Sequence, residues 1–120
     1  MMRFISDTTY EILKSYNDAN DDLFGGDIYP LIGSQKATYP FAIYRVEKTG
    51  PLTKDGVHEM TVQVTLVDAS YDRLCDTSDD LEVFFASYPE FIYQSTEPGF
   101  NPDNYEENYM TLNFSCQTIR

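Results

Sequence analysis

Asp18, Asn20 and Asp22 stand at the spacing of the first, third and fifth ligands of a calcium loop, with Asp21 and Asp27 close by. Carboxylate and amide oxygens in that pattern suit a hard cation. The loop also needs a glycine at its sixth position for a sharp turn and a bidentate glutamate at its twelfth. Leu23 and Tyr29 occupy those two places. The cluster is therefore expected to be a polar helix end running into the Gly25-Gly26 turn, with no metal bound. A second acidic knot, Asp76-Thr77-Ser78-Asp79-Asp80, falls inside an amphipathic pattern, largely on the side away from its apolar stripe. A solvated helix face is the expectation there.

Nucleophilic chemistry has little to draw on. His58 is the single histidine, so any Ser-His-Asp or Cys-His arrangement would have to use it. It follows a turn-rich stretch, beside Gly56, with no nucleophile near it in sequence, and a surface histidine is expected. Gly25-Gly26 lacks the spacing of a phosphate-cradling loop, and neither CxxC nor HExxH occurs. With 20 acidic residues, chance carboxylate pairs are expected, so no acid–base pair is assigned. The reading is a protein without catalytic residues and without a cofactor.

Charge narrows the partners. Lys and Arg number 8 and Asp and Glu 20, a net charge of −12 over 120 residues. Nucleic-acid recognition needs a basic footprint, and docking on an anionic bilayer needs a basic patch, so neither is expected. The charge is also uneven. Residues 1–60 carry 6 basic against 9 acidic side chains, and residues 61–120 carry 2 against 11. No apolar run is long enough to span a membrane, and the opening residues MMRFISDTTYEILK read as an amphipathic helix rather than a signal peptide. That implies a cytoplasmic product, in which Cys75 and Cys116 are expected to be buried and reduced.

The elements that must position these residues follow from periodicity. Phe4, Thr9, Ile12, Leu13, Tyr16, Ala19 and Leu23 recur at helical spacing, and Thr8 with Glu11 has the form of a capping box, which predicts a helix over 7–23. A short strand at 27–30, a loop over 31–39 and a β-rich segment at 40–47 come next. Met60, Val62, Val64 and Leu66 alternate with Thr61, Gln63 and Thr65, a strand with one apolar and one polar face. With residues 40–47 it predicts a long hairpin whose tip spans about 48–57. Tyr71, Leu74, Ser78, Leu81, Phe85 and Tyr88 mark a second helix stopped by Pro89, its start open between Tyr71 and Ser78 because Asp and Ser are poor mid-helix residues. A short strand at 91–93, an acidic loop over 96–107 and a final strand alternating from Met110 to Cys116 complete the chain. The expectation is a single α+β domain, residues 1–120. Its order is α-β-β-β-α-β-β, with one antiparallel or mixed sheet of four to five strands, both helices on one face, and an extended hairpin arm.

Gly26-Asp27-Ile28-Tyr29-Pro30, Tyr39-Pro40-Phe41-Ala42-Ile43-Tyr44, the alternating strand over 59–67 followed by the helical stretch 68–88, and the closing strand over 109–119 together resemble the tail-completion, or tail-terminator, proteins of long-tailed bacteriophages and prophages. The likeness is one of pattern and covers most of the chain. It implies a structural virion protein, assembled in the bacterial host cytoplasm. It implies a ring, commonly of six copies, at the head-proximal end of the tail tube, joining tail to head. Its partners would be further copies of itself, the tube and the head–tail connector proteins, with subunits that can stay monomeric until they meet the tube end. The family has no catalytic residues to carry over.

A ring subunit needs a rigid body and arms that reach its neighbours. The arms here would be the 48–57 tip and the 96–107 loop, with Leu52, Phe100 and Tyr105 as apolar anchors at subunit interfaces. A conduit for DNA must not bind it, and negative walls repel phosphate. Asp76, Asp79, Asp80 and Glu82 are the candidate channel-facing acids. The alternative reading is a small acidic interaction or inhibitor module that binds a basic partner.

Overall fold

The computed structural model describes residues 2–25, 28–30, 39–51, 57–101 and 104–119. Helix α1 (Met2–Ala19) opens the chain, followed by strands β1 (Ile28–Pro30), β2 (Phe41–Pro51) and β3 (Val57–Asp68). Helix α2 (Tyr71–Phe85) leads to β4 (Phe91–Asn101) and β5 (Asn104–Ile119). The order is α-β-β-β-α-β-β, as the periodicity predicts. The five strands form one sheet in the order β1-β2-β3-β5-β4. β1 runs parallel to β2, and every other pairing is antiparallel.

β3 is the centre of the sheet, and its alternation decides which face is covered. Met60, Val62, Val64 and Leu66 are all at most 1% exposed, while Thr61, Gln63 and Thr65 on the opposite face are half-buried. The register carries the same division outward. Val64 pairs with Tyr44 on one side and Leu112 on the other, and both are buried. Both helices lie on that apolar face, α1 against β1 and β2, α2 against β3 and β5. Burying each such aliphatic side chain contributes about 1.5–3 kcal/mol, so this face is where the fold gains its stability. The helices meet where the Tyr16 ring stands edge-on to Phe84, with centroids 5.5 Å apart.

Three boundaries differ from the sequence pattern, and the open start of α2 is fixed. α1 starts at Met2, so Thr8 is no capping residue; its hydroxyl donates to the Phe4 carbonyl at 2.8 Å, a bond inside the helix. Ile5, not Phe4, joins the buried stripe, and Phe4 is 61% exposed. The helix ends at Ala19, before Leu23, because Asn17 organises the residues beyond it. α2 begins at Tyr71, where the Ser70 hydroxyl accepts from the Arg73 backbone N–H at 3.3 Å as its N-cap. The largest correction concerns residues 96–107. They belong chiefly to β4 and β5, whose pairing continues from Phe91 opposite Cys116 out to Asn101 opposite Asn104. Pro98 is tolerated because β4 is an edge strand, where a missing N–H need not break a ladder bond. Residues 52–56, most of the expected arm tip, lie outside the described residues.

Candidate functional site

The candidate channel-facing acids gather on α2. Asp76, Asp79 and Asp80 are exposed and Glu82 is half-buried, while Leu74, Thr77, Ser78, Leu81 and Phe85 face the core. Ser78 fits mid-helix because its hydroxyl donates to the Cys75 carbonyl at 2.9 Å, bonding locally instead of needing a partner in the core. Helical spacing places Asp76 beside Asp79 and Asp80, and Asp79 beside Glu82. The last turn of α2 holds no basic residue. These acids repel one another, and Glu82, in the last turn, also meets the partial negative charge of the helix C-terminus. Asp80 also faces α1. Burial, and then the nearby Asp80 carboxylate, push the Tyr16 phenol up to about 12.

The candidate anchors fall elsewhere. Phe100 is 59% exposed near the outer end of β4, opposite Asn108. Tyr105 lies on β5 close to the same end. Leu52 lies outside the described residues. Phe100 and Tyr105 therefore share the β4–β5 hairpin, apart from the α2 acids. At about 3.3 Å per residue the 16 residues of β5 span roughly 50 Å, against about 22 Å for the 15 of α2. β3 pairs with β5 from Asn108 to Ile119, so the part of the hairpin that continues past β3 is Asn101 and residues 104–107.

The first acidic cluster has a structural organiser. Asn17 is 3% exposed; its Oδ1 accepts from the Phe24 backbone N–H at 2.7 Å, and its Nδ2 donates to Asp22 Oδ1 at 2.8 Å. Asp21 and Asp22 take left-handed backbone angles, φ 56° and 58°. Asp22 thus serves the turn, and Asp27 lies outside the described residues. Among the described residues no three His, Cys, Asp or Glu side chains gather as metal ligands. His58 sits on β3, paired with Pro51 and Thr118. Cys116 is buried and Cys75 half-buried, neither in a disulfide. Among the described residues no helix is long and apolar enough to cross a membrane.

One feature escaped the sequence reading. A groove of about 460 Å³ opens between the second half of α2 and β4, lined by Glu82, Val83, Phe85, Ala86, Phe91, Ile92, Tyr93 and Phe114. Phe85 stacks on Phe114 with centroids 4.4 Å apart, and Phe91 meets Phe85 edge-on at 5.2 Å, which gives the groove an aromatic floor. The run Phe91-Ile92-Tyr93 carried a signal for it. Successive strand residues point to opposite faces, so three apolar residues in a row cannot all enter one core.

No protein-family model matches this chain, and no curated protein aligns with it significantly.

Proposed function

We propose that this protein is a ring-forming subunit of a bacteriophage tail-completion complex, acting at the junction of tail tube and head as a structural part of the virion. The observation that carries the reading is the α-β-β-β-α-β-β order on one mixed sheet, combined with a β4–β5 hairpin whose closed end continues past β3. That combination supplies a rigid body with a short paired end at the β4–β5 turn, where Asn101 and residues 104–107 continue past β3; an assembly subunit needs both a rigid body and surface that reaches a neighbour. The acidic face of α2 supports a place beside passing DNA, since repulsion between carboxylates and phosphates keeps the wall from binding its cargo.

Deleting the gene from its phage genome tests the reading. Heads and tails that fail to join, with joining restored by the purified protein, are the expected result under the electron microscope. Particles with normally joined tails would overturn it. Within the assembled ring, changing Asp76, Asp79, Asp80 and Glu82 to Lys should cause DNA to be retained.

A second reading, an acidic module that binds a basic protein, draws support from the same crowding of carboxylates on α2. A strict monomer that binds a basic protein and plays no part in tail joining would favour it.

A further inference from the structure

β4 ends the sheet beyond β5, and among the described residues no strand pairs with its outer side. A row of its backbone N–H and C=O groups therefore points away from the sheet. Lysines, prolines and shortness are the usual guards of such an edge. Residues 91–97 of β4 hold no Lys and no Pro, and their one charge is Glu97. Their one irregularity is the register shift between Tyr93 and Ser95.

The groove runs along this open edge. Phe91 pairs with Cys116 and Tyr93 with Phe114, on the face that the helices cover, whereas Ile92 pairs with Ser115 and points to the other face. A groove lined by both Tyr93 and Ile92 reaches round the free side of β4, because β5 closes the opposite side. Its outer wall is Val83 and Ala86, and its floor is Phe85 and Phe114. Val83 is 71%, Ile92 50% and Tyr93 40% exposed. Contiguous apolar surface of that kind on a small protein marks a contact site. A strand laid along β4 would set every second side chain between β4 and α2, over the aromatic floor.

Charge decides what kind of strand fits. Both walls belong to a stretch without cations: residues 74–119 contain no Lys, Arg or His and nine Asp or Glu. Glu82 lines the groove, Glu90 stands just before β4, and Asp79 is exposed one turn before Val83. A second copy docking through its own β4 would bring the same carboxylates against themselves, and like charges so placed oppose association. A segment that carries Lys or Arg beside its apolar residues is attracted instead.

We infer that the groove between α2 and β4 is a strand-addition site, at which an extended cationic segment of another protein pairs with the free edge of β4 over residues 91–97, seats an apolar side chain on the floor of Phe85 and Phe114, and sets a Lys or Arg against Glu82. Main-chain hydrogen bonds along the edge supply affinity, and the groove selects the side chain. The register shift after Tyr93 keeps the pairing short, so the groove contact carries much of the binding. This goes beyond the tail-completion reading and does not depend on it.

A library of short random linear peptides, selected against the full-length protein, supplies the probe. Enriched peptides should mix apolar residues with Lys or Arg, and a synthetic copy should bind in fluorescence polarisation. Val83→Asp should weaken that binding about tenfold or more, the effect of spoiling a central contact, although the added carboxylate would strengthen a purely ionic attraction. Methyl groups on one alternate set of the peptide's backbone nitrogens should abolish binding, and on the other set leave it within about threefold, because only alternate residues of an added strand face the edge. Hydrogen exchange of the wild type should slow at residues 91–97 when the peptide is present. Circular dichroism checks that Val83→Asp folds, and the methylation and exchange measurements need no variant. A library that yields no enriched sequence overturns the inference. So does a peptide that tolerates Val83→Asp in the folded variant, or both methylated sets. Self-association of the wild type that Val83→Asp abolishes assigns the groove to a second copy, and overturns it as well. In every case the gene-deletion phenotype judges the tail-completion reading independently.

Discussion

Asp68, the last residue of β3, and Arg73, in the first turn of α2, lock the strand–helix junction through two parallel hydrogen bonds, one of them 2.6 Å from Arg73 Nη2 to Asp68 Oδ1. The Asp68 side chain is 1% exposed and that of Arg73 48%. The Ser70 backbone N–H adds a third bond to the same carboxylate at 3.1 Å. The pairing with Asp68 raises the Arg73 pKa further, although burial opposes it. The pair sets the angle at which α2 leaves the sheet, and so where its acids and the groove beside it come to lie.

Removing the cation should leave the Asp68 charge buried and half-satisfied. Arg73→Met is expected to cost about 2 kcal/mol by urea denaturation, below the range for fully buried pairs because Arg73 is half in solvent. Adding Asp68→Asn should recover part of that loss, with a coupling of about 1 kcal/mol between the two sites. Strictly additive effects would show that the ion pair contributes nothing to the junction.

The turn after α1 depends on Asn17 in a similar way. Asn17→Ala orphans the buried Phe24 N–H and is expected to destabilise the fold by about 1–3 kcal/mol. Asp21, exposed at φ 56°, holds a backbone conformation that costs a side-chain-bearing residue about 1 kcal/mol. Asp21→Gly should therefore be neutral to stabilising, by up to about 1 kcal/mol. Calcium added to the wild type should not shift its melting temperature, since Asp22 is already committed to Asn17. A calcium-dependent rise would restore the metal reading of this cluster.

These two sites show where sequence alone is informative. The strand through Met60, Val62, Val64 and Leu66 was legible because a sheet with one covered face demands that alternation, and the α2 stripe was legible for the same kind of reason. Asn17 was not, because its role depends on a backbone N–H seven residues on, and periodicity carries no trace of it. The arm was misread as a loop because Pro98, Gly99, Asn101 and Pro102 are turn-formers. Only the sheet order, which puts β4 at an edge, makes Pro98 acceptable in a strand. Phe4 and Ile5 are adjacent apolar residues, and the start of α1 at Met2 decides which of them faces the core. Asp76, Asp79 and Asp80 were placed correctly on an exposed helix face, while Glu82 is half-buried and lines the groove, which needs β4 and α2 side by side to exist at all.

Cys116 links the core to alkaline pH. Burial first, and Glu90 second, push its thiol from an ordinary 9.0 up to about 12, and Tyr16 rises to about 12 from 10.0. Below pH 9 both groups are protonated in the folded and unfolded states alike. Above it the unfolded chain loses these protons first, so stability falls as pH rises from about 9 to 12. Urea midpoints should drop across that window, and Cys116→Ala should flatten the part between pH 9 and 10, where Tyr16 contributes least. An unchanged slope would remove Cys116 as its source. In the native protein at neutral pH a thiol reagent should modify half-buried Cys75 well before Cys116, with both reacting in denaturant.

The carboxylates of α2 lower the stability of the helix that carries them. Asp79 lies one turn from both Asp76 and Glu82, and the helix end beyond has no cation to offset the dipole. Asp79→Lys converts two repulsions into two attractions and should stabilise the fold by about 0.5–1 kcal/mol at low salt, the gain shrinking as salt screens it. Under the proposed function the same substitution should impair DNA passage through the assembled ring, because it places a phosphate-binding cation on the wall. A stabilised variant with undiminished joining and DNA release would place this face away from the DNA path. A stabilised variant that retains DNA would tie the cost in stability directly to the face's function.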